Sequence, residues 1–278
     1  MIISIALAAA GPLHTTVMTV TKVYVVADVS YSSNRNLDRI DEYIKESIEG
    51  GGSVIGYGSW ATALVHVLQE NRQHIWWHIR NDEVMESLQT EGRNAKYLYD
   101  IEFDMNLINA STDINEVVRN SDIIIIAAPS AYLKSFLKDL QEPLKDKFIL
   151  SATKGIIPDD YKTITEFFRD TYGLPYEQLG LISGPSHAEE VSRDKMSYLT
   201  VACTDDGNSR IIGGCFSTPK LHIQYSKDIY GIEYAGILKN IYALAGGIAT
   251  GLGYGDNFRA YGSKRTGDDK VHPGELSV

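Results

Sequence analysis

Residues 51–63 read GGSVIGYGSWATA, and the rest of the chain is best understood outward from them. Gly56, Gly58 and Ala61 stand in G-x-G-x-x-A spacing, after a short apolar run and ahead of a segment with helical periodicity. In that spacing the first glycine makes a tight turn, the second lets backbone approach a pyrophosphate, and the small third residue packs helix on strand. The helix start then offers free N–H groups and a positive dipole end to an anion. A plain tight turn uses the same spacing, so the segments that follow must decide between the two.

Beyond the turn, apolar runs alternate with amphipathic segments. SVIG precedes a helix from about Trp60, HIWWHI precedes NDEVMESLQ, and IIIIAA precedes AYLKSFLKDLQ; FILSA follows, and then LGLIS with a helix from His187. Such alternation implies a parallel sheet covered on both faces. Ile123 to Ala128, apolar at every position, suits a strand buried on both sides. The expected fold class is therefore α/β, with a doubly wound parallel-sheet (Rossmann) domain over residues 51–227. Near Ile229 the pattern changes to one glycine-punctuated helical stretch, YGIEYAGILKNIYALAGGIATGLG, which begins an all-helical domain over 228–260. Residues 261–278 are polar without apolar period and are expected to be a disordered tail. Residues 1–50 form an N-terminal extension, in which KVYVVAD reads as a strand and Leu37, Ile40, Ile44 and Ile48 recur at helical spacing.

With 278 residues and 44% hydrophobic content the chain is long enough for a sizeable core and favours two domains over one. A formal net charge of -10 argues against nucleic acid as partner, because neutralising a phosphate backbone takes clustered Lys and Arg. Cys203 and Cys215 are too few and too isolated for a disulfide framework or a structural zinc site, which fits a reduced cytoplasmic setting. The apolar opening MIISIALAAAGPL lacks a basic n-region and falls short of a membrane span, so neither a signal peptide nor a membrane anchor is expected.

Polar signals sit where the strands end. HIWWHI is followed by Arg80, where an NAD-preferring site often carries an acid; an arginine there suits a 2'-phosphate, or is simply solvated. Ala128-Pro129-Ser130, Thr153-Lys154-Gly155 and Gly184-Pro185-Ser186 follow the next three apolar runs. In an open parallel sheet all these ends face one crevice. Ser186 with Glu189 also has the form of a helix capping box. Lys239 is the only charged side chain from Tyr234 to Tyr254, and it either snorkels to the surface or is buried with a depressed pKa suited to proton transfer. Asn240 beside it adds amide donors and an acceptor.

Taken in order, VIGYGSWATAL, WWHIR, SDIIIIAAPS, LSATKGI, LISGPSHAEEV and GIEYAGILKNIYALAGGIATGLGYGDN resemble the bacterial NAD(P)-dependent glycerol-3-phosphate dehydrogenase family from about Ser53 to Ala260. The resemblance implies reversible reduction of dihydroxyacetone phosphate to sn-glycerol 3-phosphate, a precursor for glycerophospholipid synthesis, with NAD or NADP as cofactor and NADPH in the reductive direction. It implies cofactor contacts from Gly56, Gly58, Ser59, Trp60, Ala61, Arg80, Pro129, Lys154 and Ala188. Lys154, Gly184, Ser186, Lys239 and Asn240 would line the substrate. Lys239 would be the proton acceptor in the oxidative direction, with Lys154 as the second catalytic lysine. A homodimer is compatible with this picture.

The resemblance also implies a longer helical substrate domain, with an aspartate in a GLGDL-like segment and a Ser-Arg-Asn run that grips the substrate phosphate. Neither motif is found here, and after Ala260 the motif likeness stops, as in a chain truncated at its C-terminus. A bidentate arginine contact to phosphate contributes about 1.5 to 3 kcal/mol, so this chain is expected to bind nucleotide better than it turns over substrate. The alternative reading is a catalytically inactive NAD(P)-binding fragment of the same family. A related dehydrogenase of another hydroxy substrate is a third, against which SGPSHAEE weighs.

Overall fold

Among the described residues, eight strands of four to seven residues each form one sheet in the order β3-β2-β1-β4-β5-β6-β7-β8. The computed structural model describes residues 51–71 and 73–255, so the readings of residues 1–50 and 261–278 lie outside the described residues. The chain runs β1 (Gly52–Ile55), α1 (Ser59–Glu70), β2 (Ile75–His78), α2 (Asp82–Glu91), β3 (Ile108–Ser111), α3 (Ile114–Arg119) and β4 (Ile123–Ile126). A 3-10 turn and α4 (Leu133–Leu137) lead to β5 (Phe148–Ser151), α5 (Ile164–Tyr172) and β6 (Leu179–Ser183). Then come α6 (Ala188–Val191), β7 (Ser197–Cys203), α7 (Asp206–Phe216), β8 (Leu221–Ser226) and α8 (Ile229–Gly251). Among the described residues no helix is long and apolar enough to cross a membrane.

From β3 through β6 every pairing is parallel. The strand order reverses at β1, which pairs with β2 on one side and β4 on the other, the Rossmann arrangement. Ile55 is level with His78 and with Ile126, and Ile126 with Ser151, so the segments after these strands share one edge. Alternate residues build two cores: Val54, Ile123 and Ile125 pack on one face with Leu64 and Trp77, while Ile55, Ile124 and Ile126 pack on the other with Val118 and Phe168. Ile123 to Ile126 are all buried, which explains the unbroken apolar run.

The structure departs from the sequence reading in several places. β7 runs antiparallel to β6, and β8 is parallel to β7, so the sheet is not wholly parallel. β3, α3, α5, β7, α7 and β8 are absent from the sequence reading; β3 is INAS, with one side chain buried, whereas α5 is strongly amphipathic, burying Ile164, Phe167 and Phe168. AYLKSFLKDLQ yields only a five-residue α4 after its 3-10 turn, and the helix after His187 is four residues long.

One buried carboxylate docks α8 on the sheet layer. Glu233 is 7% exposed, and its Oε1 accepts the amides of Ile164 at 3.0 Å and Thr165 at 3.1 Å. Its Oε2 accepts the Thr165 hydroxyl. The third first-turn amide of α5, that of Glu166, is taken by the Thr163 side chain in a capping box. A negative group is favoured at this helix start by its unpaired N–H groups and its dipole. Replacing Glu233→Ala strands two buried amides, so urea unfolding should show a loss of about 3 kcal/mol. Glu233→Gln, which keeps one acceptor oxygen, should lose visibly less.

Candidate functional site

The turn between β1 and α1 is held by its carbonyls. Trp77 Nε1 donates to the Gly56 carbonyl at 2.7 Å, Asn94 Nδ2 to that of Tyr57 at 3.0 Å, and Thr62 Oγ1 to that of Gly58 at 2.9 Å. Asn94 Nδ2 also reaches Thr62 Oγ1 at 2.8 Å, and Trp77, Thr62 and Asn94 are all fully buried. With the carbonyls so occupied, the first-turn amides of α1 are left without intrahelical acceptors, and Gly58 supplies no side-chain cap. Gly56 has φ +125°, and a Cβ there would meet the Ala127–Ala128 backbone at 2.9 Å. A Cβ at Gly58 would meet nothing within 4 Å, so the space above the helix start is open to a ligand. This cradle fits a pyrophosphate group.

The other strand ends line the same edge. Arg80, after β2, donates through Nη1 to the Ser135 carbonyl at 2.6 Å and hydroxyl at 3.1 Å, and its guanidinium lies 3.6 Å from the centre of the Phe136 ring. It is therefore an oriented cation, and among the described residues it has no carboxylate partner. Thr153 Oγ1 bonds the carbonyls of Ala128 and Ile126 at 2.7 and 3.0 Å, tying the end of β5 to that of β4 beside exposed Pro129. Gly155, at φ +112°, is close to Ser130, where a Cβ would meet the hydroxyl at 2.9 Å. Gly184, at φ +141°, has no room for a Cβ against the Tyr198 carbonyl, 2.6 Å away.

Lys154, after β5, and Lys239, on α8, are near enough for the charge of one to act on the other. Lys154 keeps solvent contact, yet its ammonium pKa is lowered, first by desolvation among the surrounding atoms and second by the charge of Lys239. α8 reaches this edge through Gly236, whose missing side chain faces Ser183 at the end of β6. Lys239 and Asn240 are exposed, so of the two readings of Lys239 the solvent-facing one holds. The lysine with the depressed pKa is Lys154, because Lys154 is the one desolvated beside a second cation.

Ser186 corrects the sequence reading. The residue before α6 is His187, with no side-chain cap, and the Ser186 hydroxyl instead donates to the Gly184 carbonyl at 3.4 Å. The bend at Gly184 turns Ser186 back on its own loop, so no capping box forms with Glu189. Ala188 is buried in the core shared with Ala61, and Ser59 and Trp60 are half-buried at the start of α1.

The profile of the NAD-dependent glycerol-3-phosphate dehydrogenase N-terminus matches residues 53–209, more than half of the chain. The chain belongs to this family. The profile of the same family's C-terminus matches residues 228–266, so the likeness continues past Ala260, where the motifs had ended it. Glycerol-3-phosphate dehydrogenase (NAD(P)+) of Macrococcus caseolyticus is 36% identical over 210 residues, covering 75% of this chain and 63% of that protein. The Staphylococcus epidermidis protein is 35% identical over the same share. The chain thus spans just under two thirds of these relatives' length. Among solved structures, a Plasmodium falciparum glycerol-3-phosphate dehydrogenase superposes with a TM-score of 0.69 at 25% identity, covering 81% of this chain and 66% of that one. One from Coxiella burnetii gives 0.65 at 27% identity, covering 77% and 65%.

Sequence reasoning missed Trp77, Asn94 and His78. Trp77 lies within WWHIR, but nothing in its spacing shows that its N–H holds Gly56; Asn94 lies in a loop without pattern. His78, 1% exposed at the end of β2, has Nε2 at 3.2 Å from the Thr112 carbonyl, so Nε2 carries the proton and donates. Burial pushes its pKa down to about 4, against the partial opposition of that hydrogen bond. Its folded-state pKa is below the ordinary 6.5, so as pH falls the unfolded chain takes up the proton first. Stability is then full above about 6.5 and falls until about pH 4, by on the order of 3 kcal/mol. In urea unfolding at pH 7 and 4.5, His78→Gln, which keeps a donor for Thr112, should lose less stability than wild type; equal losses would count against this account.

Proposed function

We propose that this chain carries the cofactor half and the lysine pair of an NAD(P)-dependent sn-glycerol-3-phosphate dehydrogenase that interconverts dihydroxyacetone phosphate and sn-glycerol 3-phosphate. In this reading residues 51–227 bind the dinucleotide, and residues 228–260 begin the helical substrate domain. The protein works in the cytoplasm on small phosphate esters, not on nucleic acid or membrane, and supplies a precursor for glycerophospholipids. The observation that supports the reading is the level register of β1, β4 and β5, which sets Lys154 on the same sheet edge as the glycine turn, with Lys239 near enough to depress its pKa.

The turn residues Gly56, Gly58, Ser59, Trp60 and Ala61 hold the pyrophosphate of the dinucleotide, with Pro129 and Ala188 along the crevice. Arg80, fixed on Phe136 and without a carboxylate partner among the described residues, receives a 2'-phosphate and so favours NADP(H). The bound nicotinamide supplies the hydride donor or acceptor. Lys239 accepts the hydroxyl proton of the alcohol in the oxidative direction, and as an ammonium it stabilises charge on the carbonyl oxygen in reduction. Lys154 contributes a second positive charge and touches both cofactor and substrate. Gly184, Ser186 and Asn240 line the substrate, and the backbone at Gly184 has no space for a larger residue.

A second reading, cofactor binding without turnover, is favoured by one observation. Around Lys239 the side chains of Leu238, Ile241, Leu244 and Ile248 are exposed, so the described residues do not exclude water from the lysine's surroundings. We therefore expect tight NADPH binding and slow turnover.

The two readings separate in one experiment on the purified 278-residue chain. NADPH fluorescence should change saturably, and its absorbance should fall when dihydroxyacetone phosphate is added. Lys239→Met should lower kcat by roughly a hundredfold or more while NADPH affinity holds. Saturable binding with no turnover would remove the active-enzyme reading and leave the second; no binding would remove both. Arg80→Ala should weaken NADPH by about tenfold and leave NADH nearly unchanged. Equal effects on the two would mean that Arg80 does not read the 2'-phosphate.

A further inference from the structure

At the far end of α1 from the glycine turn, three donors from two segments converge. His66 and Glu70 share one face of the helix at i,i+4, and Asp194 comes from the turn between α6 and β7. One ligating atom of each lies within 4.8 Å of the others. His66 Nε2 is 3.6 Å from Glu70 Oε1 and 4.0 Å from Asp194 Oδ1. Both separations are too long for hydrogen bonds. They are close to the roughly 3.4 Å between two ligands that each sit about 2.1 Å from a tetrahedral metal.

The imidazole points independently to a missing ligand. His66 is 16% exposed, but both of its ring nitrogens are shielded from solvent, and among the described residues neither has a hydrogen-bond partner. Buried ring nitrogens are ordinarily satisfied. Two carboxylates face the same point, and neither pairs with a lysine or arginine among the described residues. A cation between them would satisfy His66 Nε2 and relieve the repulsion between the two carboxylates.

We propose that His66, Glu70 and Asp194 form a divalent transition-metal site, with zinc as the preferred ion, that clamps α1 to the α6–β7 turn. One imidazole and two carboxylates favour zinc over magnesium, which prefers an all-oxygen shell. Solvent completes the coordination on the open side, where Glu70 and Asp194 are exposed. The site is structural: α1 begins at the cofactor turn, and α6 begins at Ala188 beside the crevice, so the clamp fixes two crevice walls from behind.

The test is calorimetric titration of ZnCl2 into the chelator-stripped, untagged full chain, with MgCl2 as comparison. One zinc per chain is expected, with a micromolar dissociation constant and a higher unfolding temperature on loading. Asp194→Asn, an exposed change that leaves the fold intact by circular dichroism, should weaken zinc by about tenfold or more and abolish the thermal shift. His66→Ala should do the same. Zinc binding unaltered in both variants, no saturable uptake up to ~1 mM, or magnesium binding as tightly as zinc would each overturn the proposal.

Discussion

The hydrogen bonds that Trp77, Asn94 and Thr62 make to three consecutive carbonyls, Gly56 to Gly58, are the constraint on which the site depends. A glycine turn by itself is flexible, and each glycine costs conformational entropy on folding. Here the entropy loss is offset by side chains that are fully buried and so cannot move away without leaving polar atoms unpaired. With the carbonyls fixed, the amides of the helix start are presented as a preformed anion site. Trp77 is also part of the core, where its ring meets Phe103 edge-on at 5.2 Å, so packing of the sheet and geometry of the turn are one arrangement.

A second constraint joins the sheet to the long helix. Glu233 buries its carboxylate against the start of α5, and Gly236, one turn further on, lets α8 lie close to Ser183. These two contacts set the rotation and height of α8, and Lys239 follows one turn after Gly236. Its approach to Lys154 is therefore fixed by packing, against the repulsion of two like charges. Desolvation first, and that repulsion second, move the Lys154 ammonium below its ordinary range.

Much of this was legible in the chain itself. Unbroken apolar runs such as Ile123–Ile126 declare doubly covered strands, and G-x-G-x-x-A spacing declares the turn, because both follow from backbone geometry. The order of the strand-end motifs identified the family. What stayed hidden depends on tertiary partners. INAS becomes β3 only because β2 lies beside it, and the β6–β7 reversal of direction leaves no mark in periodicity. Ser186 reads as a cap until the bend at Gly184 turns it away, and Lys239 reads as buried or exposed with equal justice until the neighbours of α8 are known. Trp77 and Asn94 act on residues 21 and 37 positions away, beyond the reach of any local pattern.

The central claim is that pinned carbonyls present the amides at the start of α1 to the dinucleotide pyrophosphate. Amide NMR of the isotopically labelled chain during NADPH titration tests it most directly. The account predicts that the largest saturable shifts fall on Tyr57 to Ala61, and that inorganic pyrophosphate reproduces them in part. Saturable binding with those amides unmoved, and the largest shifts elsewhere, would contradict it.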